Sequence, residues 1–103
     1  MRLLCAIPLT LFLALPGHAA DDAVGKQLFT KGATPPCALC HTMQDAGAAG
    51  EIGPSLDELK PDAERVAKAI RNGIGQMPAF STLTEQQVQA ISQYVARATG
   101  ATK

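Results

Sequence analysis

The sequence predicts an all-α fold of three or more helices, and three observations support this prediction. Apolar residues in the C-terminal part recur at spacings of three and four, as on the buried face of a helix. These residues are Val88, Ile91, Val95 and Ala98. Residues that favour helix ends stand where the predicted helices begin and stop. No segment alternates apolar and polar residues as a half-buried strand does.

The first predicted helix spans about residues 23–31. Asp21 and Asp22 are its candidate N-terminal caps, and Gly32 is a natural stop. Its apolar stripe consists of Val24, Leu28 and Phe29.

The second predicted helix begins at Pro61, in the first turn where proline is tolerated, and stops before Gly73. Its inward stripe consists of Val66, Ala69 and Ile70. The third begins after Thr84, which forms a capping box with Gln87. Loops are expected over residues 44–54, which are rich in Gly and Ala, and over residues 73–83.

Residues 1–19 are typical of a secretory signal peptide that is cleaved, and residues 20–103 would then form one domain. Arg2 supplies a positive charge, residues 3–15 are almost wholly apolar, and a Pro-Gly pair and small residues follow. The alternative is a membrane anchor, but the apolar run is shorter than the roughly 20 residues that a span needs. We therefore expect a periplasmic protein without a stable membrane anchor after cleavage.

The composition narrows the possible functions. The chain has 103 residues and a formal net charge of zero, so no broad basic field favours the binding of nucleic acid. Aromatic residues make up only 4% of the chain, although large aromatic side chains usually help to fill a small core. We expect a bound cofactor to supply part of the missing apolar mass.

The segment Cys37-Ala38-Leu39-Cys40-His41 has the spacing of a covalent haem attachment site. Its two cysteines can form thioethers with the two vinyl groups of one porphyrin, and the adjacent imidazole becomes the proximal axial ligand of the iron. The alternatives are a thioredoxin-like redox pair, a zinc site and a structural disulfide. The first usually sits among strands, the second needs further ligands, and the third does not require His41.

Met77 is the candidate for the distal axial ligand. It lies in a loop and is followed by Pro78, and its thioether suits haem iron and raises the reduction potential. Met43 is too close to His41 in sequence to reach the opposite face of the ring, so we expect it to be a packing residue. Two strong ligands would leave no open coordination position, which favours outer-sphere electron transfer over ligand binding or catalysis.

In the order of these elements the sequence resembles class I cytochrome c over roughly residues 22–98. The resemblance implies one haem c, with Cys37 and Cys40 as thioether cysteines, His41 as proximal ligand and Met77 as distal ligand. Pro54 would accept a hydrogen bond from the proximal imidazole, and Leu56 would line the haem.

The resemblance also implies a close crossing of the first and last helices at Gly25, Phe29 and Tyr94. Arg71 or Asn72 is a candidate contact of a haem propionate.

A narrower resemblance involves the runs 53–62 and 71–75 together with Met77-Pro78. These runs are similar to the cytochrome subunit of bacterial sulfite dehydrogenases, which takes electrons from a molybdenum-containing catalytic subunit. The resemblance implies an electron acceptor in sulfite oxidation that is not itself the enzyme. Two alternatives remain open: a general electron shuttle between dehydrogenases and a terminal oxidase, and a haem protein that binds or senses a ligand.

Overall fold

The computed structural model describes residues 3–11 and 18–102. Residues 3–11 are exposed and have no regular secondary structure. The predicted signal peptide, residues 1–19, lies partly outside the described residues, and its cleavage stays a prediction. Within the described ranges, no helix combines the length and the apolar character needed to cross a membrane.

The described chain folds mainly into α-helices, which confirms the predicted all-α class. The helices are α1 (His18–Gln27), α2 (Cys37–Cys40), α3 (Leu56–Leu59), α4 (Ala63–Asn72) and α5 (Glu85–Ala98). A π-helical turn, Leu28–Gly32, continues α1. Two short antiparallel strands, β1 (Thr42–Met43) and β2 (Ala48–Ala49), flank a 3₁₀ turn at Gln44–Ala46.

The first and last helices cross at a glycine, as the family resemblance implied. A Cβ atom on Gly25 would lie 2.5 Å from both the Ala90 carbonyl oxygen and the Tyr94 Cβ, so only glycine permits this approach. One helical turn later, the rings of Phe29 and Tyr94 meet edge to face with centroids 6.2 Å apart. The crossing therefore fixes α1 against α5.

The predicted apolar face of α5 is confirmed, since Val88, Ile91 and Val95 are buried and Ala98 is partly buried against the same core. The Thr84–Gln87 capping box is also present. Helix α4 packs against α5, and the Phe80 N–H donates to the Ile70 carbonyl at 2.8 Å, which ties the following loop to α4. The core thus lies between α1, α4 and α5.

The predicted start of the first helix was wrong. Helix α1 begins at His18, so Asp21 and Asp22 lie inside it and do not cap it. Asp22 instead accepts hydrogen bonds from the Arg97 guanidinium at 2.9 and 2.5 Å, which joins α1 to the end of α5. Val24, predicted to face inward, is 52% exposed, because Gly25 and, in the turn that follows α1, Leu28 are the residues that face the core.

The second predicted helix was expected to begin at Pro61, but α4 begins two residues later, at Ala63. Asp62 is the N-cap of α4, its carboxylate accepting from the Arg65 N–H at 2.8 Å, so Pro61 precedes the helix. Gly73 ends α4 as predicted. Val66 and Ala69 are only half-buried, whereas Ala67 and Ile70 are buried.

The segments around the cysteines and after Pro54 are more ordered than the sequence indicated. Helices α2 and α3 span a single turn each, and β1 and β2 span two residues each, which is too short for a periodic signal. Ser55 caps α3, and Lys60 ends it in the left-handed conformation at φ 47°. The predicted loop over residues 44–54 therefore contains a turn and part of a small sheet.

Candidate functional site

A cavity of about 620 Å³ lies between α4, α5, the cysteine segment and the loop after α4. Its walls are mainly apolar, with Phe29, Ile70 and Val95 at the core side. All the predicted site residues line it. They are Cys37, Cys40, His41, Pro54, Leu56 and Met77.

Helix α2 places the two cysteines on the cavity wall. The His41 N–H closes the turn by donating to the Cys37 carbonyl at 3.0 Å. Both thiols are free and half-buried. The pKa of the Cys37 thiol is raised to about 11, mainly because the thiol is buried. A backbone hydrogen bond partly opposes this rise, and the neighbouring Cys40 adds to it. A protonated thiol is a poor nucleophile in redox exchange, which disfavours the dithiol alternative.

The His41 ring is oriented by a backbone carbonyl. Its Nδ1 lies 2.8 Å from the Pro54 carbonyl oxygen. Because a carbonyl only accepts, Nδ1 carries the proton and Nε2 keeps a free lone pair for a metal. A Cβ on Gly53 would lie 2.6 Å from the ring carbon Cε1, so glycine is required beside the imidazole.

Hydrogen bonds hold the segments that carry His41 and Pro54 together. The Gly53 N–H donates to the Cys40 carbonyl at 2.6 Å, and the Gln44 N–H donates to the Asp57 carboxylate at 2.8 Å. Because Asp57 lies in the first turn of α3, it links that helix to the chain just beyond β1. The imidazole and its acceptor are therefore parts of one braced unit.

The chain that follows His41 is also attached to α5. Met43 is fully buried in the core, as expected for a packing residue. The Tyr94 hydroxyl donates to the Asp45 carboxylate at 2.5 Å, which connects α5 to the turn after β1. Burial and the Asp45 carboxylate raise the pKa of Tyr94 well above its ordinary value, so this hydroxyl stays protonated as a donor.

Met77 stands on a tight backbone turn. The Ile74 N–H donates to the Met77 carbonyl at 3.0 Å, and the Met77 N–H donates back to the Ile74 carbonyl at 2.9 Å. Gly73 and Gly75 have φ values of 72° and 57°, a region that favours glycine. The backbone at Met77 is therefore fixed while its half-buried side chain lines the cavity.

The sulfur and nitrogen groups on the cavity wall fit a covalently bound haem. Two free thiols, one imidazole of defined tautomer and one thioether surround a single apolar cavity. The zinc alternative finds no such support, because no cluster of three or more His, Cys, Asp or Glu side chains occurs among residues 3–11 and 18–102.

Comparison with known proteins agrees with this chemistry. The family model described as cytochrome C oxidase, cbb3-type, subunit III matches residues 20–95. The chain is 35% identical over 101 residues to a cytochrome c6 of Cyanidioschyzon merolae, covering 90% of this chain and 89% of that protein. The chain belongs to the class I cytochrome c family. As a member, it carries one covalently bound haem c and acts as an electron carrier.

Two further relatives of this cytochrome cover most of its length. A cytochrome c6 of Picosynechococcus sp. is 32% identical over 118 residues, with 93% of each chain covered. The crystal structure of the c-type cytochrome SorU from Sinorhizobium meliloti matches with a TM-score of 0.78 and 51% identity. That match covers 80% of this chain and 94% of SorU.

Sequence reasoning missed the residues that brace this cytochrome's site. Asp57 and Asp45 accept hydrogen bonds from residues that are 13 and 49 positions away in the chain, so no local motif predicts these contacts. Gly50 also escaped notice: a Cβ there would lie 2.6 Å from the Cys40 carbonyl carbon. Only the fold brings these groups to the attachment segment.

Proposed function

We propose that this cytochrome is a periplasmic monohaem electron carrier with a closed, six-coordinate iron. Cys37 and Cys40 would form the thioethers, His41 would be the proximal ligand and Met77 the distal ligand. The observation that carries the proposal is the hydrogen bond from His41 Nδ1 to the Pro54 carbonyl, which directs Nε2 as a ligand. The haem, when bound, supplies the one-electron iron couple.

The protein's own residues would supply orientation, a low dielectric and a rigid coordination sphere. The Pro54 carbonyl keeps the imidazole proton on Nδ1, and the turn at residues 74–77 holds the Met77 backbone in one conformation. The mainly apolar walls, including Leu56, would limit the access of water to the bound haem. Because His41 and Met77 would both hold the iron, its coordination would change little during electron transfer.

Matched methionine variants test the ligand set. We expect Met77→Leu to mature with covalent haem, to lose the weak Met–iron charge-transfer band, and to bind CO. Its potential should fall by on the order of 0.1 V, within the ~0.8 V range that axial ligands span. Met43→Leu makes the same change at a packing site and should alter neither property. An unchanged potential in Met77→Leu would show that another group is the ligand.

Intact mass tests the attachment. The purified cytochrome should carry the mass of one haem, and Cys37→Ala with Cys40→Ala should lose that covalent adduct. Tight CO binding by the unaltered protein at neutral pH would instead favour the alternative of a haem sensor with an open or labile sixth position.

For the donor, we propose a molybdenum-containing sulfite dehydrogenase catalytic subunit. The runs around Gly53-Pro54 and Met77-Pro78 support this through their resemblance to the cytochrome subunits of such enzymes. Sulfite plus a purified catalytic subunit of that class should reduce the haem rapidly, whereas sulfite alone should not. A rate no higher than that with an unrelated dehydrogenase would favour the general shuttle.

The periplasmic location rests on the proposed signal peptide. Cleavage after Ala19 would leave helix α1 to start at its third residue, Ala20, and would retain Asp22 and its ion pair with Arg97. N-terminal sequencing of the exported cytochrome should therefore begin at Ala20. Recovery of the full-length chain in the membrane fraction would contradict this proposal.

A further inference from the structure

The cavity wall carries positive charge and no negative charge. Arg65 and Lys68 line the cavity, and none of the nine Asp and Glu residues of the chain is among its described lining residues. The rest of the wall is mainly apolar. An anionic group inside the cavity would therefore meet its counter-charges only on the α4 side.

The two cations form a stripe along α4. Arg65, Lys68 and Asn72 follow one another at spacings of three and four, so they share one face of the helix, and all three line the cavity. This polar stripe lies beside Val66 and Ala69, which line the apolar part of the same wall.

The side chains of Arg65 and Lys68 are available for a ligand. The ion pairs of the described chain join Arg71 to Glu85 and Arg97 to Asp22, and they use neither cavity-lining cation. At Arg65, the contact to Asp62 involves only the backbone N–H. The predicted propionate contact at Arg71 is not supported, since its guanidinium donates to Glu85 and does not line the cavity.

We propose that Arg65 and Lys68 bind the propionate carboxylates of the haem, a step that rests on the proposed covalent haem site. The two propionates are the anionic groups of an otherwise apolar ring. The planar guanidinium of Arg65 can hold a carboxylate with two parallel hydrogen bonds, and the Lys68 ammonium adds a point charge. Asn72 offers an amide donor on the same stripe.

This pairing has a consequence for the iron. A propionate carboxylate stabilises the ferric state through its negative charge, and a bound cation offsets that effect. Arg65 and Lys68 would therefore raise the reduction potential and lower the pKa of the propionate that they contact. Removal of either cation should reverse both effects.

Three matched charge removals test the proposal on the purified holoprotein. Arg65→Gln, Lys68→Gln and the control Arg71→Gln each remove one positive charge from α4. The midpoint potential is measured as a function of pH, and resonance Raman spectra report hydrogen bonding of the propionates. We expect the first two variants to lower the potential at least about twice as much as Arg71→Gln, because Coulomb energy rises as distance falls. They should also move the propionate inflection to higher pH and shift the propionate bending mode.

The outcomes separate this proposal from the proposed function. Retention of covalent haem and of the Met–iron band in all three variants keeps the ligand set intact. If the two cavity variants and Arg71→Gln show equal midpoint potentials, equal propionate inflections and equal Raman bending modes, the propionate assignment is overturned. The proposed ligand set would stand. If Arg65→Gln does not accumulate as holoprotein, Arg65→Lys and Lys68→Gln carry the same comparison. Arg65→Lys keeps the charge and should shift the potential less than Lys68→Gln.

Discussion

At the scale of single residues, the orientation of the His41 imidazole depends on neighbours that are not themselves metal ligands. Pro54 supplies the acceptor, Gly53 leaves room for the ring, and Asp57 ties the two chain segments together. Such supporting contacts orient a ligand and raise its basicity. We therefore expect the loss of these contacts to change the coordination of the iron by His41 as well as the free energy of unfolding.

Replacement of Asp57 tests this support. Asp57→Ala removes the acceptor of the Gln44 N–H and should lower the free energy of unfolding of the holoprotein by about 1–2 kcal/mol, as expected for a hydrogen bond to a charged group that is partly exposed. The His41 Nδ1–H proton should also exchange faster by NMR. Glu58→Ala removes the same charge from the same turn of α3 and is the control. Equal exchange rates in the two variants would show that Asp57 does not brace His41.

The residue scale is also where prediction from sequence succeeded most. Cys37, Cys40 and His41 are nearly consecutive, so their shared location follows from chain connectivity. Met77 was predicted from its loop and the following Pro78, and it lies in the same cavity as the other three. Their roles in haem binding stay predictions until the variants above are measured. The bracing residues could not be predicted because their partners are distant in sequence.

At the scale of elements, the structure depends on how closely α1 approaches α5. Gly25 brings the two backbones together, and the Phe29–Tyr94 contact and the Arg97–Asp22 ion pair lie on either side of that point. Sequence periodicity predicted α5 well because its apolar face is long and continuous. It placed α1 and α4 less well, because Asp21, Asp22 and Pro61 match several positions near a helix start.

Adding one methyl group at Gly25 tests how closely α1 and α5 pack at their crossing. Gly25→Ala should destabilise the holoprotein by about 1–3 kcal/mol, because overpacking outweighs the roughly 1 kcal/mol that alanine gains in helix propensity. Val24→Ala, at the exposed neighbouring position, should change the free energy of unfolding by less than about 0.5 kcal/mol. Chemical denaturation of both variants measures the difference. A more stable Gly25→Ala protein would show that the helices separate at little cost.

At the scale of the whole molecule, the cavity occupies space that a larger apolar core would fill. Only three Phe and one Tyr are present in 103 residues. The 620 Å³ cavity borders core residues of α4, of α5 and of the π-helical turn that follows α1. The composition predicted such a gap, whereas its charged wall depends on the rotation of α4 and could not be predicted.

Removal of the haem should therefore unfold much of the molecule. Protein produced without haem should show weaker helical circular dichroism and no cooperative thermal transition, because the cavity walls would face one another across an unfilled, partly hydrated space. The holoprotein measured under the same conditions is the control. A native-like spectrum with a cooperative melt in the haem-free protein would show that α1, α4 and α5 form a sufficient core alone.

The backbone bridge between Ile74 and Met77 makes the position of Met77 independent of the side chains on the surface of the same loop. The bridge holds Met77 through main-chain atoms, which every residue type except proline can provide. Ile74 is 71% exposed, and Gln76 is exposed as well. Substitutions at Ile74 or Gln76 can therefore change the surface chemistry beside the cavity while the backbone of Met77, the proposed iron ligand, stays in place.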